Sequence, residues 1–278
     1  MKILVTGANG YIGSHVVKVA VELGYDVIAN DFKFDSLPDN VVRCSIPIFE
    51  ENADIYTAMG KPDVCIHLAW RNGFVHNSKA HMQDLSKHVM FLQNMIDGGL
   101  PLLSVMGTMH EIGYWKGMID ENTPCNPMSQ YGIAKNALRQ SISLYVKDTS
   151  CILHWLRAYY ITGDENRTSN IFAKITQAVQ NGQTLFPFTS GKNKYDFIDV
   201  NELAKMIVLS SIQDKVNGVI NVCSGKPVSL AEKVESFIKS KKYNIELNYG
   251  AFPDRDYDSP IVYGDNSKII EIISNAKH

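Results

Sequence analysis

Tyr131-Gly132-Ile133-Ala134-Lys135 sets a phenol and an ammonium four residues apart, on one face of any helix that carries them. A free Tyr hydroxyl titrates at about 10, too high for a base at neutral pH, and a neighbouring Lys⁺ favours the phenolate. Such a pair suits proton transfer at a carbinol or carbonyl oxygen, with Tyr131 as acid or base and Lys135 as its support. Thr108 adds a third group. It follows the apolar run Leu102-Leu103-Ser104-Val105-Met106, which puts its hydroxyl at a strand's carboxyl end, within reach of the same oxygen. Taken singly each has a plainer reading: Tyr and Lys often share a helix surface, and Thr often closes a strand.

A second constellation opens the chain. In Thr6-Gly7-Ala8-Asn9-Gly10-Tyr11-Ile12-Gly13, a glycine falls at every third position between the apolar run Ile3–Val5 and a helical pattern over Ile12–Leu23. Glycines there permit a tight turn, let the backbone approach a pyrophosphate and let the helix pack on the strand. The helix N-terminus offers free N–H groups and positive dipole to phosphate. A glycine trio alone is weak, but Asp31 ends the next apolar run, Val27-Ile28-Ala29-Asn30, as a dinucleotide site requires. A carboxylate there accepts from the adenosine ribose hydroxyls and repels a 2′-phosphate. NAD is therefore expected, with NADP possible because Lys33 lies two residues on. The expected contacts are Gly7, Asn9, Gly10, Tyr11, Ile12, Gly13 and Asp31, and a positive nicotinamide ring would further favour the Tyr131 phenolate.

These residues need a sheet to position them. Ile3–Val5, Val27–Ala29, Val64–Leu68, Leu102–Met106, Ile152–Leu156 and Val219–Val222 read as buried parallel strands. Helical patterns over Ile12–Leu23 and Ser129–Val146 lie between them, and later ones cover Asn170–Asn181, Leu203–Ser211 and Leu230–Lys239. The alternation predicts an α/β fold with a Rossmann-type doubly wound parallel sheet. Residues 1–160 are expected to form the dinucleotide-binding domain. Residues 161–278 are expected mainly as a small C-terminal substrate lobe, with about 195–225 returning to the sheet. Pro187–Lys194 reads as a turn-rich loop, and Tyr249–Gly264 shows little periodicity.

Composition narrows the function classes. A formal net charge of −2 gives no field to draw nucleic acid or an anionic membrane. No apolar stretch approaches spanning length. The five cysteines are scattered, with no CxxC pair, which suits reduced thiols in the cytoplasm. The eight histidines show no metal-ligand spacing, so no metal is expected.

Taken together, Thr6–Gly13, Asp31, His67-Leu68-Ala69, Thr108, Gly113, Tyr131 and Lys135 resemble, in their order, the extended short-chain dehydrogenase/reductases of the NAD-dependent epimerase/dehydratase type. The resemblance runs through Leu156-Arg157 with Gly163, Tyr195–Val200, Asn221–Gly225 and Arg255-x-x-Asp258. It implies a nucleotide-sugar substrate, cofactor contacts from Leu68, Ala69 and Lys135, and a homodimer built on the helix after Phe74 and the helix carrying Tyr131. It also implies that Arg255 holds the substrate diphosphate, where a guanidinium fits phosphate oxygens with a bidentate fork. Four positions depart from the family pattern: Ser45 for an Asp near the adenine, Asp84 for an Asn, Tyr160 for an Asn, and Tyr195 for an Arg, with Lys194 beside it as the substituting substrate contact.

The loop Thr108-Met109-His110-Glu111-Ile112-Gly113 separates reactions within that family. Nucleotide-sugar 4,6-dehydratases follow this Thr with Asp and Glu, which drive water elimination; here Met109 and His110 stand instead. The Gly-Thr-x-x-Glu-x-Gly form resembles 4-ketoreductases of 6-deoxy nucleotide sugars, such as 6-deoxytalose 4-dehydrogenases. His110 is then a substrate contact, or a second acid/base if the sugar is also epimerised, and Glu111 can hold a backbone turn. A 4-epimerase with tightly retained NAD uses the same Thr108, Tyr131 and Lys135. A dinucleotide-binding regulator without turnover does not need the Tyr–Lys pair.

Overall fold

A computed structural model describes residues 1–254 and 258–276. Seven parallel strands form the central sheet, in the order Gly218–Val222, Ile152–Ala158, Leu102–Thr108, Val64–His67, Lys2–Thr6, Asp26–Asn30, Val42–Cys44. The strands read as apolar runs rather than alternations because helices cover both faces. On one face Tyr11–Glu22, Val200–Ser211 and Ser267–Asn275 bury Val16, Leu203, Ile207 and Ile272; on the other Ala80–Asp97 and Gln130–Tyr145 bury Phe91, Leu92, Met95, Leu138 and Ile142. Strand order reverses between Lys2–Thr6 and Val64–His67, whose last residues Thr6 and His67 are paired. The crevice at that switch point is where such sheets take ligands.

A second sheet lies beyond the carboxyl ends. Lys194–Asp199 pairs antiparallel with Pro227–Ser229 and parallel with Tyr160–Thr162 and Ile261–Gly264, and the last of these pairs with Gly117–Ile119. Helices Ile171–Gln180 and Leu230–Lys241 complete a third core around Phe172, Ile175, Phe188 and Val234. This part ties itself to the glycine loop. The Tyr11 hydroxyl donates to Gly163 O at 2.8 Å, His15 Nε2 lies 3.1 Å from Asp164 and Arg167 Nη1 donates to Ser14 Oγ at 2.9 Å.

The six expected strands are all present. The seventh, Val42–Cys44, is three residues long and largely exposed, so it leaves no apolar run to detect. The helix expected from Leu203 begins at Val200, because the Asp199 carboxylate caps it by accepting Asn201 N. The segment expected to be irregular through Gly264 contains the strand Ile261–Gly264. Among the described residues no helix is long and apolar enough to cross a membrane.

Candidate active site

A cavity of about 1060 Å³ runs along the carboxyl ends of the strands, at the upper end of small-molecule sites. Gly7, Gly10, Tyr11, Ile12, Gly13, Asp31, Leu68 and Ala69 line one end, and Thr108, His110, Tyr131 and Lys135 the other.

The first end suits a dinucleotide. Gly7 has φ +67°, and a Cβ there would lie 2.7 Å from Ala69 N; a Cβ on Gly13 would lie 2.0 Å from Gly7 O. The loop is thus compressed against both its helix and the adjoining strand end, which only glycine allows. Gly10 starts Tyr11–Glu22 with no side-chain cap, so the first-turn amides have no capping side chain and can meet a phosphate. Asp31 sits at the end of its strand, one carboxylate oxygen accepting Asn9 N at 2.9 Å and the other Phe32 N at 2.7 Å. Asn9 Oδ1 in turn accepts Ser36 N at 3.0 Å, fixing the loop beside Asp31.

At the other end, Ser129 caps the helix Gln130–Tyr145 by accepting Gly132 N at 3.1 Å. A Cβ on Gly132 would lie 2.3 Å from His110 O, so this glycine lets the helix start lie directly on the Thr108 turn. The contact brings Tyr131 to Thr108, whose hydroxyl favours the charged form of the phenol. One turn on, Lys135 Nζ donates to Met106 O at 2.8 Å and lies 3.8 Å from the centroid of Trp70. Burial draws Lys135 down to about 7, outweighing the pull of Glu111. The expected lowering of Tyr131 does not hold in the protein itself. Burial pushes the phenol above its ordinary range, the Thr108 hydrogen bond opposes this, and Glu111 adds to the rise.

Histidines surround the phenol. His76 stacks on Tyr131 at 5.4 Å and 15°, His110 packs 4.4 Å from His76, and His81 lies 5.3 Å from Tyr131. Burial, aided by His76, holds His110 down to about 4, and His76 is lowered chiefly by its own burial. Both are therefore neutral near pH 7. Tyr131 N also donates to His76 O at 2.8 Å, so the segment after Ala69 is fastened to the helix Gln130–Tyr145. Trp70 and His76 escape a reading by spacing, because neither stands in a periodic pattern. The one signal available was the place of Trp70 just past the strand end at His67.

Glu111 is wholly buried and is part of the frame. It accepts Thr108 N at 2.7 Å, Trp155 Nε1 at 3.0 Å and Arg157 Nη2 at 3.3 Å, and lies 3.6 Å from Arg139 Nε. Asp84 pairs with Arg71 at 2.8 Å and Lys87 at 3.6 Å on the cavity wall. Tyr160 lines the cavity, while Tyr195 packs behind it at 4.3 Å. Lys194 begins an exposed strand end and is not among the lining residues. Arg255 lies outside the described residues.

The sequence pattern of the NAD dependent epimerase/dehydratase family matches residues 3–223. The chain is 42% identical over 271 residues to the dTDP-6-deoxy-L-talose 4-dehydrogenase (NAD(+)) of Aggregatibacter actinomycetemcomitans, covering 95% of this chain and 99% of that protein. It is 22% identical over 285 residues to the GDP-6-deoxy-D-talose 4-dehydrogenase of the same organism, covering 99% and 92%. A UDP-N-acetylglucosamine 4-epimerase from Methanobrevibacter ruminantium M1 shares the fold, with a TM-score of 0.85 at 21% identity over 98% of this chain and 91% of that one. With the glycine cradle, Asp31 and the Thr108–Tyr131–Lys135 cluster on one cavity, these matches make the chain a member of the NAD dependent epimerase/dehydratase family.

Proposed function

We propose that the protein is an NAD(P)-dependent oxidoreductase, with NAD as its cofactor, that interconverts the 4-keto and 4-hydroxy forms of a nucleotide-activated (6-deoxy)hexose. The observation that carries this reading is the convergence of Thr108, Tyr131 and Lys135 on the cavity, with Met109 and His110 where a dehydratase carries its acids. The near-complete match to a 6-deoxytalose 4-dehydrogenase supports the substrate class. NAD, when bound, supplies the site that accepts or donates hydride.

The residues of the chain handle the proton. Thr108 and Tyr131 form two hydrogen-bonding hydroxyls at one point, which seats the sugar's C4 oxygen. In oxidation Tyr131 Oη takes the carbinol proton as the C4 hydride leaves; in reduction the same atom protonates the new alkoxide. Lys135 supports the phenolate and would also help to hold the cofactor. NAD would be held by the loop Gly7, Asn9, Gly10, Tyr11, Ile12 and Gly13, by Asp31, and by Leu68 and Ala69. His110, neutral and on the cavity wall, contacts the sugar. By resemblance Arg255 meets the substrate diphosphate, within a lobe formed mainly by residues 161–278.

The test offers the protein a panel of 4-keto-6-deoxy nucleotide sugars with NADH or NADPH and follows nicotinamide absorbance. Stoichiometric oxidation of NADH is expected. A 4-epimerase would isomerise 4-hydroxy sugars with no net change in absorbance, and that result would replace the reductase reading.

We also propose a cytoplasmic homodimer, in keeping with five unpaired cysteines. The helices Ala80–Asp97 and Gln130–Tyr145 leave Met82, Ile133 and Leu144 exposed, apolar surface that a second copy can cover. Light scattering at micromolar concentration should give twice the chain mass; the mass of one chain would overturn it.

A further inference from the structure

Lys135 carries its charge almost out of water, being 2% exposed. Among the described residues its ammonium donates one hydrogen bond, to Met106 O. An indole face lies 3.8 Å from the nitrogen, well inside the range in which ring quadrupoles attract cations. That face is itself fixed from several sides. Trp70 stacks on His88 at 4.4 Å and 15°, and its Nε1 donates to His81 Nδ1 at 3.0 Å. His81 Nε2 then donates to Val75 O at 2.9 Å, and His88 Nδ1 lies 2.9 Å from His67 Nε2. The indole also packs against Tyr131 in a T-shaped arrangement, with ring centroids 6.1 Å apart. One ring therefore touches both members of the Tyr–Lys pair and is anchored to the helix Ala80–Asp97 and the strand Val64–His67.

We propose that Trp70 is a positioning residue: its ring is the seat of the Lys135 ammonium, holding the side chain charged and in reach of Tyr131 and the cofactor. This rests on the oxidoreductase reading for its kinetic consequences, but the contact itself does not. The groups that act on the ammonium are Met106 O from the strand Leu102–Thr108, neutral His67 and His88 from the strand and helix behind Trp70, and Glu111 from the turn after Thr108. Glu111 is the one anion in that set, and three strong partners already hold it. The π face does the work that a first shell of water would do in the open. Burial still draws Lys135 down to about 7, so losing the ring lowers it further and empties the charged form at a lower pH.

The experiment uses the full chain with Trp70→Phe, Trp70→Leu and Lys135→Met. Trp70→Leu should reduce kcat about 30-fold, the scale of a desolvated cation–π contact, with KM for the nucleotide sugar little changed. The alkaline limb of kcat/KM, which reports the free enzyme, should move to lower pH. Trp70→Phe keeps a π face and should recover most of the rate and the limb. A loss of packing alone would lower Tm without moving the limb. A limb unmoved in Trp70→Leu would overturn the proposal.

A second measurement needs no substrate and no Trp70 variant. Tryptophan emission of the cofactor-free protein should change with pH about the Lys135 titration, and Lys135→Met should abolish that change. If the change persists in Lys135→Met it does not come from the Lys135 ammonium, and the proposal falls even where the sugar panel succeeds. An emission change lost in Lys135→Met, beside a failed panel, would keep the contact and sink the reaction.

Discussion

Replacing Tyr131 by Phe should reduce kcat by about 10²–10⁴-fold, the usual contribution of a positioned acid or base, while NAD binding stays intact. Phe keeps the ring that stacks on His76 and packs among His81, His110 and Trp70, so the cage is preserved and only the hydroxyl is lost. The neighbouring imidazoles cannot replace it. His110 is held at about 4 and His76 below its ordinary value, both chiefly by burial, so neither carries a proton to give near neutral pH, and His110 is a feeble base. The full penalty should therefore appear, without the partial rescue that an adjacent imidazolium would provide. Cofactor titration by fluorescence, beside steady-state kinetics, separates the two effects: the glycine cradle and Asp31 lie at the far end of the cavity. Near-normal turnover in a folded Tyr131→Phe protein would refute the assignment of the proton to this atom.

The sheet was legible because its strands are buried on both faces and therefore continuously apolar; Ile3–Val5 and Val64–Leu68 stand out for that reason. Val42–Cys44 did not, since an exposed three-residue edge has no such constraint. The helix Gln130–Tyr145 was legible from the apolar period over Ser129–Val146. Polar residues on Ala80–Asp97, among them His81, Asp84 and His88, blur its period because they face the cavity wall and its packing rather than solvent. The site divides in the same way. Thr108, Tyr131, Lys135 and the glycine loop carry spacing rules imposed by backbone geometry. The environment that sets their charge states does not. The height of the Tyr131 titration, the neutrality of His76 and the indole beneath Lys135 come from segments brought together only by the fold.

Replacing Glu111 by Leu should cost about 3–5 kcal/mol of stability, the range for breaking a buried ion pair from one side. For a chain of this size that is a fall in Tm of about 10 °C. The carboxylate is wholly buried, and its loss strands Arg157, which is 1% exposed. Arg157 keeps one other bond, Nη1 to Asp120 O at 3.2 Å, and its Nε has no partner among the described residues. The indole N–H of Trp155 and the amide of Thr108 would also lose their acceptor. Removing the stranded charge as well should return part of the stability, because an apolar pair of similar volume can replace a buried ion pair at little net cost. Glu111→Leu with Arg157→Met should therefore melt above Glu111→Leu alone. Activity should not return with it. Glu111 Oε1 fixes the Thr108 amide at 2.7 Å, and Thr108 carries the hydroxyl that meets Tyr131. Without that anchor kcat should fall more than KM rises, in the double variant as in the single one. Thermal melts and steady-state kinetics on both variants decide the matter. Recovery of kcat in step with Tm would show that Glu111 stabilises the fold without positioning Thr108.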